Sequence, residues 1–346
     1  MVQAIRKEFF LRKEELTNSD LASIYFGGGT PSVLSPDDIS TIIEDVSKKI
    51  HFKDTIEITL EANPDDLDAS YLNQLKSTAI NRLSIGTQSF NDADLKMMNR
   101  AHNAQQAEYS IKKAQDVGFQ NISIDLIYGA QTADLEIWNR NIKKTLELQV
   151  PHISSYALTV EPKTALHHQI EKGKLKPPDE NLQSQAFDRL CRQLKENGFE
   201  HYEISNFAKP GFHSKHNSAY WNYQQYLGLG PSAHSYNGKN RRSWNIANNQ
   251  KYLEAILQNQ LPTESEILSE NDQFNEMVMI GLRTAKGVNL DNLNQKFSKN
   301  ILKHFHQTSA EKLEMGILQI ENNHLIIPEK HWFLADGIAS DLFILD

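Results

Sequence analysis

The chain has 346 residues, 39% of them hydrophobic and 23% charged, and carries a formal net charge of -8. That is enough for one large core or two domains, and the acidic balance argues against nucleic acid as the main partner. No run approaches the roughly 20 apolar residues of a membrane span and the amino terminus is charged rather than a signal peptide, so a cytoplasmic protein is expected. The single cysteine, Cys191, excludes an internal disulfide and a thiolate-held cluster supplied by this sequence alone.

Residues 2–16 set Ile5, Phe9 and Leu16 among Lys, Arg and Glu at near-helical spacing and predict an opening helix. Ile24-Tyr25-Phe26 then runs into Gly27-Gly28-Gly29 and is stopped by Thr30-Pro31, which predicts a buried strand ending in an exposed backbone turn. Glycine there permits positive φ and lets a ligand press against main chain. The run has neither G-x-G-x-x-G spacing nor a Gly-Lys-Ser/Thr ending, so dinucleotide and P-loop chemistry are poorly supported. A plain turn into the helix beginning near Ser35-Pro36 is the alternative.

Apolar strands near 22–26, 56–61, 82–86, 121–127 and 153–158 alternate with helical patterns near 36–49, 67–78, 104–117 and 135–148. Such alternation predicts parallel pairing with right-handed crossovers. The strand ends carry Gly28, Glu61, Gln88 and Asp125, and ligands gather at the carboxyl ends of parallel strands, so these four are expected to converge. Singly, each is as well explained by a turn or a satisfied loop carbonyl.

Beyond 161 the pattern loosens, with a polar connector at 174–179, a helix at 181–197 in which Cys191 fills core space, and one strand at 200–208. Residues 213–221 and 228–236 are dense in His, aromatic and Gly residues. Imidazole beside broad aromatic faces suits a flat, iron-bearing ligand such as haem. Zinc on His213 and His216 is the rival but needs two more ligands, and a buried loop with satisfied histidines explains the segment without any ligand. From 264 onward helices are expected near 272–284, 290–297 and 308–315, then a hairpin turning at Asn322-Asn323 and a final helix, a winged-helix-like set. Residues 264–346 hold 13 Asp+Glu against 7 Lys+Arg, so docking or lid duty is expected there rather than DNA binding.

Together, Gly27-Gly28-Gly29-Thr30-Pro31, Glu61-Ala62-Asn63-Pro64, Ile85-Gly86-Thr87-Gln88-Ser89-Phe90, Asn99-Arg100-Ala101-His102, Ile124-Asp125-Leu126-Ile127-Tyr128-Gly129 and His216-Asn217-x-x-Tyr220-Trp221 resemble a known family. It is the radical S-adenosylmethionine proteins of the coproporphyrinogen oxidase type, and within them the HemW-type haem chaperones. The resemblance covers nearly the whole chain. It implies a partial (β/α)6 TIM-like barrel with a C-terminal winged-helix-like α+β domain, divided as 1–210 for the barrel, 211–263 for the haem-box segment and connector, and 264–346 for the last domain. It further implies that Gly28, Gly29 and Thr30 meet the methionyl part of S-adenosylmethionine, with Glu61, Gln88, Arg100 and Asp125 completing the pocket and Ala157 lining it through its backbone. His216 would be an axial haem ligand, with Asn217, Tyr220 and Trp221 beside it.

The family also carries a Cys-x-x-x-Cys-x-x-Cys loop after its first barrel strand, and this sequence starts at the helix that follows. A [4Fe–4S] cluster is therefore expected for the family but is not ligatable by this chain, and no radical catalysis is expected of it as given. Truncation at an internal methionine is the favoured explanation, ahead of a natural variant without the cluster. The implied function is haem binding and delivery to haem-accepting proteins, with peripheral membrane contact during delivery and no nucleic acid. An oxygen-independent coproporphyrinogen III oxidase of porphyrin biosynthesis and a cofactor-free binding protein with a degenerate barrel are the alternatives.

Overall fold

The computed structural model describes residues 1–16, 20–130 and 134–345. Contact density divides it into two units, one of Ser23–Ser40 and Glu57–His213, the other of Met1–Ala22, Thr41–Ile56 and Ser214–Asp346. These cut across the segments 1–210, 211–263 and 264–346, because the amino-terminal helix and 41–56 gather with carboxyl-terminal elements.

A seven-stranded sheet is made of β1 (Leu21–Phe26), β2 (Phe52–Ala62), β3 (Arg82–Gln88), β4 (Asn121–Tyr128), β5 (His152–Ala157), β6 (Glu200–Glu203) and β7 (Asn206–Ala208), in the order β1-β2-β3-β4-β5-β7-β6; residues 23–26 of β1, 57–62 of β2 and all of the other five strands fall in the first unit. Strands β2 to β5 pair in parallel. Register explains how one sheet carries both a core and a site. Ala62, Ile85, Ile124 and Ile153 lie side by side in one row, and Glu61, Ser84, Ser123 and His152 in the row before it. Successive side chains point to opposite faces, so one face is apolar and the other polar. The crossover helices bring their own buried stripes, Leu72 and Leu75 from Ala69–Lys76, Ile111 and Ala114 from Ala104–Asp116, and Trp138 and Ile142 from Leu135–Glu147. Asp68, Asn103, Asp134 and Asp179 each cap a helix by accepting first-turn N–H groups, which fixes where the strand-to-helix turns end.

Two expectations fail at the far edge. The run 200–208 is not one strand but β6 and β7 folded back on each other, and β7 pairs antiparallel with β5. The Glu203 carboxylate accepts from the Ser205 N–H at 3.1 Å and from the Asn206 side-chain amide, which closes a two-residue turn that hydrophobic patterning cannot reveal. Two short helices, Asp92–Met97 and Ala165–Glu171, also lie below the length at which periodicity speaks.

The second unit opens with helix Val2–Arg12 and contains an unforeseen three-stranded antiparallel sheet of β8 (His234–Tyr236), β9 (Arg241–Asn245) and β10 (Thr263–Ile267). Helices Glu270–Leu282, Leu290–Lys296 and Lys299–Glu314 follow, with β11 (Val288–Asn289), β12 (Gln319–Glu321) and β13 (His324–Ile326). The β12–β13 hairpin turns at Asn322-Asn323, both at positive φ, and β11 pairs with β13, giving the expected winged-helix-like set. Its third helix begins at Lys299 rather than near 308.

A buried ionic knot anchors the opening helix. Glu8, fully buried, accepts from Arg12 at 3.0 Å, Asn245 at 2.7 Å, the Tyr252 hydroxyl at 2.6 Å and the Gly230 N–H at 2.8 Å. Breaking a buried ion pair from one side leaves its partner uncompensated. Glu8→Ala is expected to destabilise the protein by about 3–5 kcal/mol in urea unfolding, and Tyr252→Phe, which removes one hydrogen bond to a charged group, by about 1.5–3 kcal/mol. Equal effects would show that the knot is not ionic in its energetics.

Candidate functional site

The site grows from Glu61, the penultimate residue of β2. Its Oε1 accepts the Tyr25 hydroxyl at 2.5 Å and its Oε2 accepts the Gly28 N–H at 3.1 Å, so one carboxylate ties the end of β1 and the glycine turn to β2. Gly28 and Gly29 sit at φ +76° and +68°, and a Cβ on either would meet nothing within 4 Å. The glycines are therefore required by backbone conformation, and the space above them is open. Thr30 leads into the 3₁₀ turn Pro31–Val33, where the buried Ser32 hydroxyl donates to Asp66 at 2.5 Å and holds the loop from beneath.

Asp125 stands two residues beyond Ser123, on the same polar face, in register with Ser154. Gly86 is two beyond Ser84, and a Cβ there would lie 3.0 Å from Gln88 Nε2, 3.7 Å from Arg100 Nη2 and 3.7 Å from the Ala62 carbonyl oxygen. The side chains of Gln88 and Arg100 thus fill the gap that Gly86 leaves between the β2 and β4 carboxylates. Gln88 reaches it through a register shift after Ile85 and a positive φ of 63°. Ala157 ends β5 at the same edge, but its pairing with Tyr128 turns its side chain away from the face bearing Asp125.

The electrostatics agree with this convergence. Burial, and then the charge of Glu61, pushes the Asp125 carboxyl up to about 7, against the Ser154 hydrogen bond and the charges of Arg82 and Arg100. Burial lowers the Arg100 guanidinium, while Asp125 and Asp65 pull it back up. Burial also raises the phenols of Tyr25 and Tyr156, with Glu61 next in effect for Tyr25 and Asp125 for Tyr156, so both remain protonated donors. Two carboxyls, one guanidinium, an amide and bare main chain suit a ligand carrying an ammonium group, a carboxylate and hydroxyls. Sequence reasoning does not single out Tyr25, Ser154 or Tyr156 as site residues; the available signal is that Ser154 and Tyr156 alternate along β5, with Ser154 in register with Asp125. A separate hollow of about 230 Å³, lined among others by Asp92, Asn99 and His102, touches this group only through Arg100.

The His-Asn-x-x-Tyr-Trp segment is a helix, Lys215–Trp221, rather than a loop, started by the Ser214 hydroxyl accepting the Asn217 N–H. One turn separates His216 from Tyr220, and their rings meet edge to face at 5.0 Å. Tyr220 continues to Tyr226 at 4.7 Å. Burial pushes the His216 imidazole down to about 4, leaving it neutral near pH 7, as an iron ligand must be. Asn217 and Trp221 share the adjoining face; the Trp221 Nε1 is buried without a hydrogen bond among the described residues, and the Arg283 guanidinium lies 6.0 Å from its ring.

His213 stacks on Tyr202 at 4.2 Å and pairs with Glu200 at 2.7 Å. Among the described residues neither it nor His216 belongs to a trio of metal-ligating side chains, so the zinc alternative finds no support there. Cys191 is buried on helix Glu180–Glu196 with its sulfur 3.7 Å from His201 Nδ1. One thiol does not fit a cluster that needs three.

The Radical SAM superfamily pattern matches residues 7–138, and the HemN C-terminal domain pattern matches 268–334. The chain is 34% identical over 330 residues to the heme chaperone HemW of Lactococcus lactis, covering 94% of this chain and 85% of that protein. It is 32% identical to the heme chaperone HemW of Bacillus subtilis, covering 97% and 89%. The fold matches that of coproporphyrinogen III oxidase (HemN), a radical SAM enzyme from Escherichia coli, with a TM-score of 0.82, 21% identity, and coverage of 99% and 82%.

Asp125 gives the site a pH signature. Its native carboxyl holds a proton up to about 7 against an ordinary 3.8, so the native state binds more protons between these values and stability falls as pH rises through that window. Urea unfolding of wild type and Asp125→Asn should show the wild type losing stability relative to the variant across that range and levelling above it. A pH-independent difference would contradict the assignment.

Proposed function

Because the chain belongs to the HemW family of haem chaperones within the radical S-adenosylmethionine superfamily, we propose that it binds haem and S-adenosylmethionine and passes haem to acceptor proteins. The observation that carries the haem part is the neutral, partly buried His216 set against the edge of Tyr220 on one short helix. A neutral imidazole offers a lone pair to iron, and an aromatic neighbour offers a face or edge to the porphyrin. Peripheral membrane contact during delivery belongs to the same reading; among the described residues no helix is long and apolar enough to cross a membrane.

For S-adenosylmethionine, the main chain of Gly28, Gly29 and Thr30 would take the methionyl part. Glu61 and Asp125 would receive the ammonium group or ribose hydroxyls, and Arg100 and Gln88 polar oxygens. The Tyr25 hydroxyl orients Glu61, and the Ser154 hydroxyl orients Asp125. When bound, S-adenosylmethionine supplies a sulfonium cation and an amino-acid zwitterion, to which this charge pattern is matched. Ala157 contributes main chain only.

The oxidase reading rests on a shared fold at 21% identity, which carries no activity. The His216–Tyr220 helix favours the chaperone.

A haem titration followed at the Soret band tests this. Wild type should saturate, and His216→Ala should shift the band and bind at least about tenfold more weakly. Because His216 gains its proton only near 4, wild-type affinity should hold from about pH 8 to about pH 5. Absence of saturable binding would favour the oxidase, and a spectrum unchanged by the substitution would remove His216 as the ligand.

A further inference from the structure

Helix Ala165–Glu171, on the crossover that leaves the carboxyl end of β5, carries a group of side chains that the site above does not use. His167, His168 and Glu171 each present one ligand-type atom, and these three atoms lie within 4.8 Å of one another. Glu171 Oε2 is 3.4 Å from His167 Nδ1 and 3.2 Å from His168 Nδ1.

Those two spacings have a specific meaning. Metal–nitrogen and metal–oxygen bonds of about 2.0–2.2 Å set at a tetrahedral angle place neighbouring donor atoms roughly 3.3–3.5 Å apart. The carboxylate oxygen already stands at that separation from His167 Nδ1, and slightly inside it, at hydrogen-bond distance, from His168 Nδ1. Only the two rings, with centroids 5.8 Å apart, must close toward each other, which side-chain rotation on an exposed helix permits.

His167 adds an independent sign. Its Nδ1 is buried from solvent yet makes no hydrogen bond among the described residues, although it faces the Glu171 carboxylate. The nearest acceptor, the same Glu171 oxygen at 3.4 Å, makes no hydrogen bond to it, and a bound cation would satisfy both atoms directly. Two imidazoles and a carboxylate select a borderline transition ion such as Zn²⁺ or Co²⁺ over Mg²⁺ or Ca²⁺, which favour all-oxygen shells.

We propose that His167, His168 and Glu171 form a divalent transition-metal site with three protein ligands and one position open to water. The site stands apart from the haem and S-adenosylmethionine reading and survives its failure. It ties the last turn of this helix to its middle and so steadies the crossover between β5 and helix Glu180–Glu196.

The test uses the full chain, stripped with a chelator and desalted, at about pH 7.5, where imidazoles are in general neutral. Co²⁺ alone is titrated while the visible d–d absorption is recorded, and Zn²⁺ binding is followed by calorimetry. Wild type should show one saturable site with a tetrahedral Co²⁺ spectrum. Affinity should fall at least about tenfold in the His167→Ala/His168→Ala double variant and several-fold in Glu171→Gln. His216→Ala, carrying the haem-box substitution, should leave it unchanged. His168 and Glu171 are exposed and His167 is half-buried, and circular dichroism confirms folding of each variant. Absence of saturable Co²⁺ binding, or equal affinity in the double variant, would overturn the site; loss in His216→Ala alone would move it to the haem-box helix.

Discussion

One carboxylate organises the candidate pocket. Glu61 accepts the Tyr25 hydroxyl with one oxygen and the Gly28 N–H with the other, and so fixes the exit of β1, the path of the glycine turn and the end of β2 in a single contact. Charge-assisted hydrogen bonds of this kind are stronger than neutral ones and more directional. With the turn held, Gly28 and Gly29 leave open main chain, and Asp125 and Arg100 add a second carboxyl and a guanidinium that are electrostatically coupled to each other.

The parallel register is what allows this. In-register pairing of β2 to β5 lines up Ala62, Ile85, Ile124 and Ile153 on one face and Glu61, Ser84, Ser123 and His152 on the other. The apolar face packs against helices and supplies stability; the polar face is free to be chemical. Beneath Asp125 it is internally satisfied, since His152 bonds Ser123 through one ring nitrogen at 2.7 Å and the Tyr202 hydroxyl through the other at 2.7 Å. Burial holds His152 neutral, with the charge of Arg82 acting in the same direction. A neutral, doubly bonded imidazole gives the floor of the pocket a fixed set of donors and acceptors.

The alternation of apolar runs with amphipathic helices made the parallel core of the sheet legible, and the strand-end positions of Glu61, Gln88 and Asp125 made their convergence an inference from topology. What stayed hidden was local and polar. The β6–β7 reversal depends on one Glu203 carboxylate gathering two donors. The β8–β10 sheet is made of strands of three to five residues, too short for alternation to stand out. Helix Lys215–Trp221 is seven residues long and set by a serine cap, so its His and aromatic content looked like a loop. The buried Glu8 knot joins residues more than two hundred positions apart, which no local pattern encodes.

The proposed S-adenosylmethionine pocket requires Glu61 to be held by Tyr25 and to face a ligand beside Asp125. Calorimetry with S-adenosylmethionine tests that directly in wild type, Tyr25→Phe and Glu61→Gln. Saturable binding is predicted for wild type, weaker by several-fold in Tyr25→Phe and by at least about tenfold in Glu61→Gln, as expected when a charged acceptor is lost. Wild-type affinity retained in both variants would contradict it.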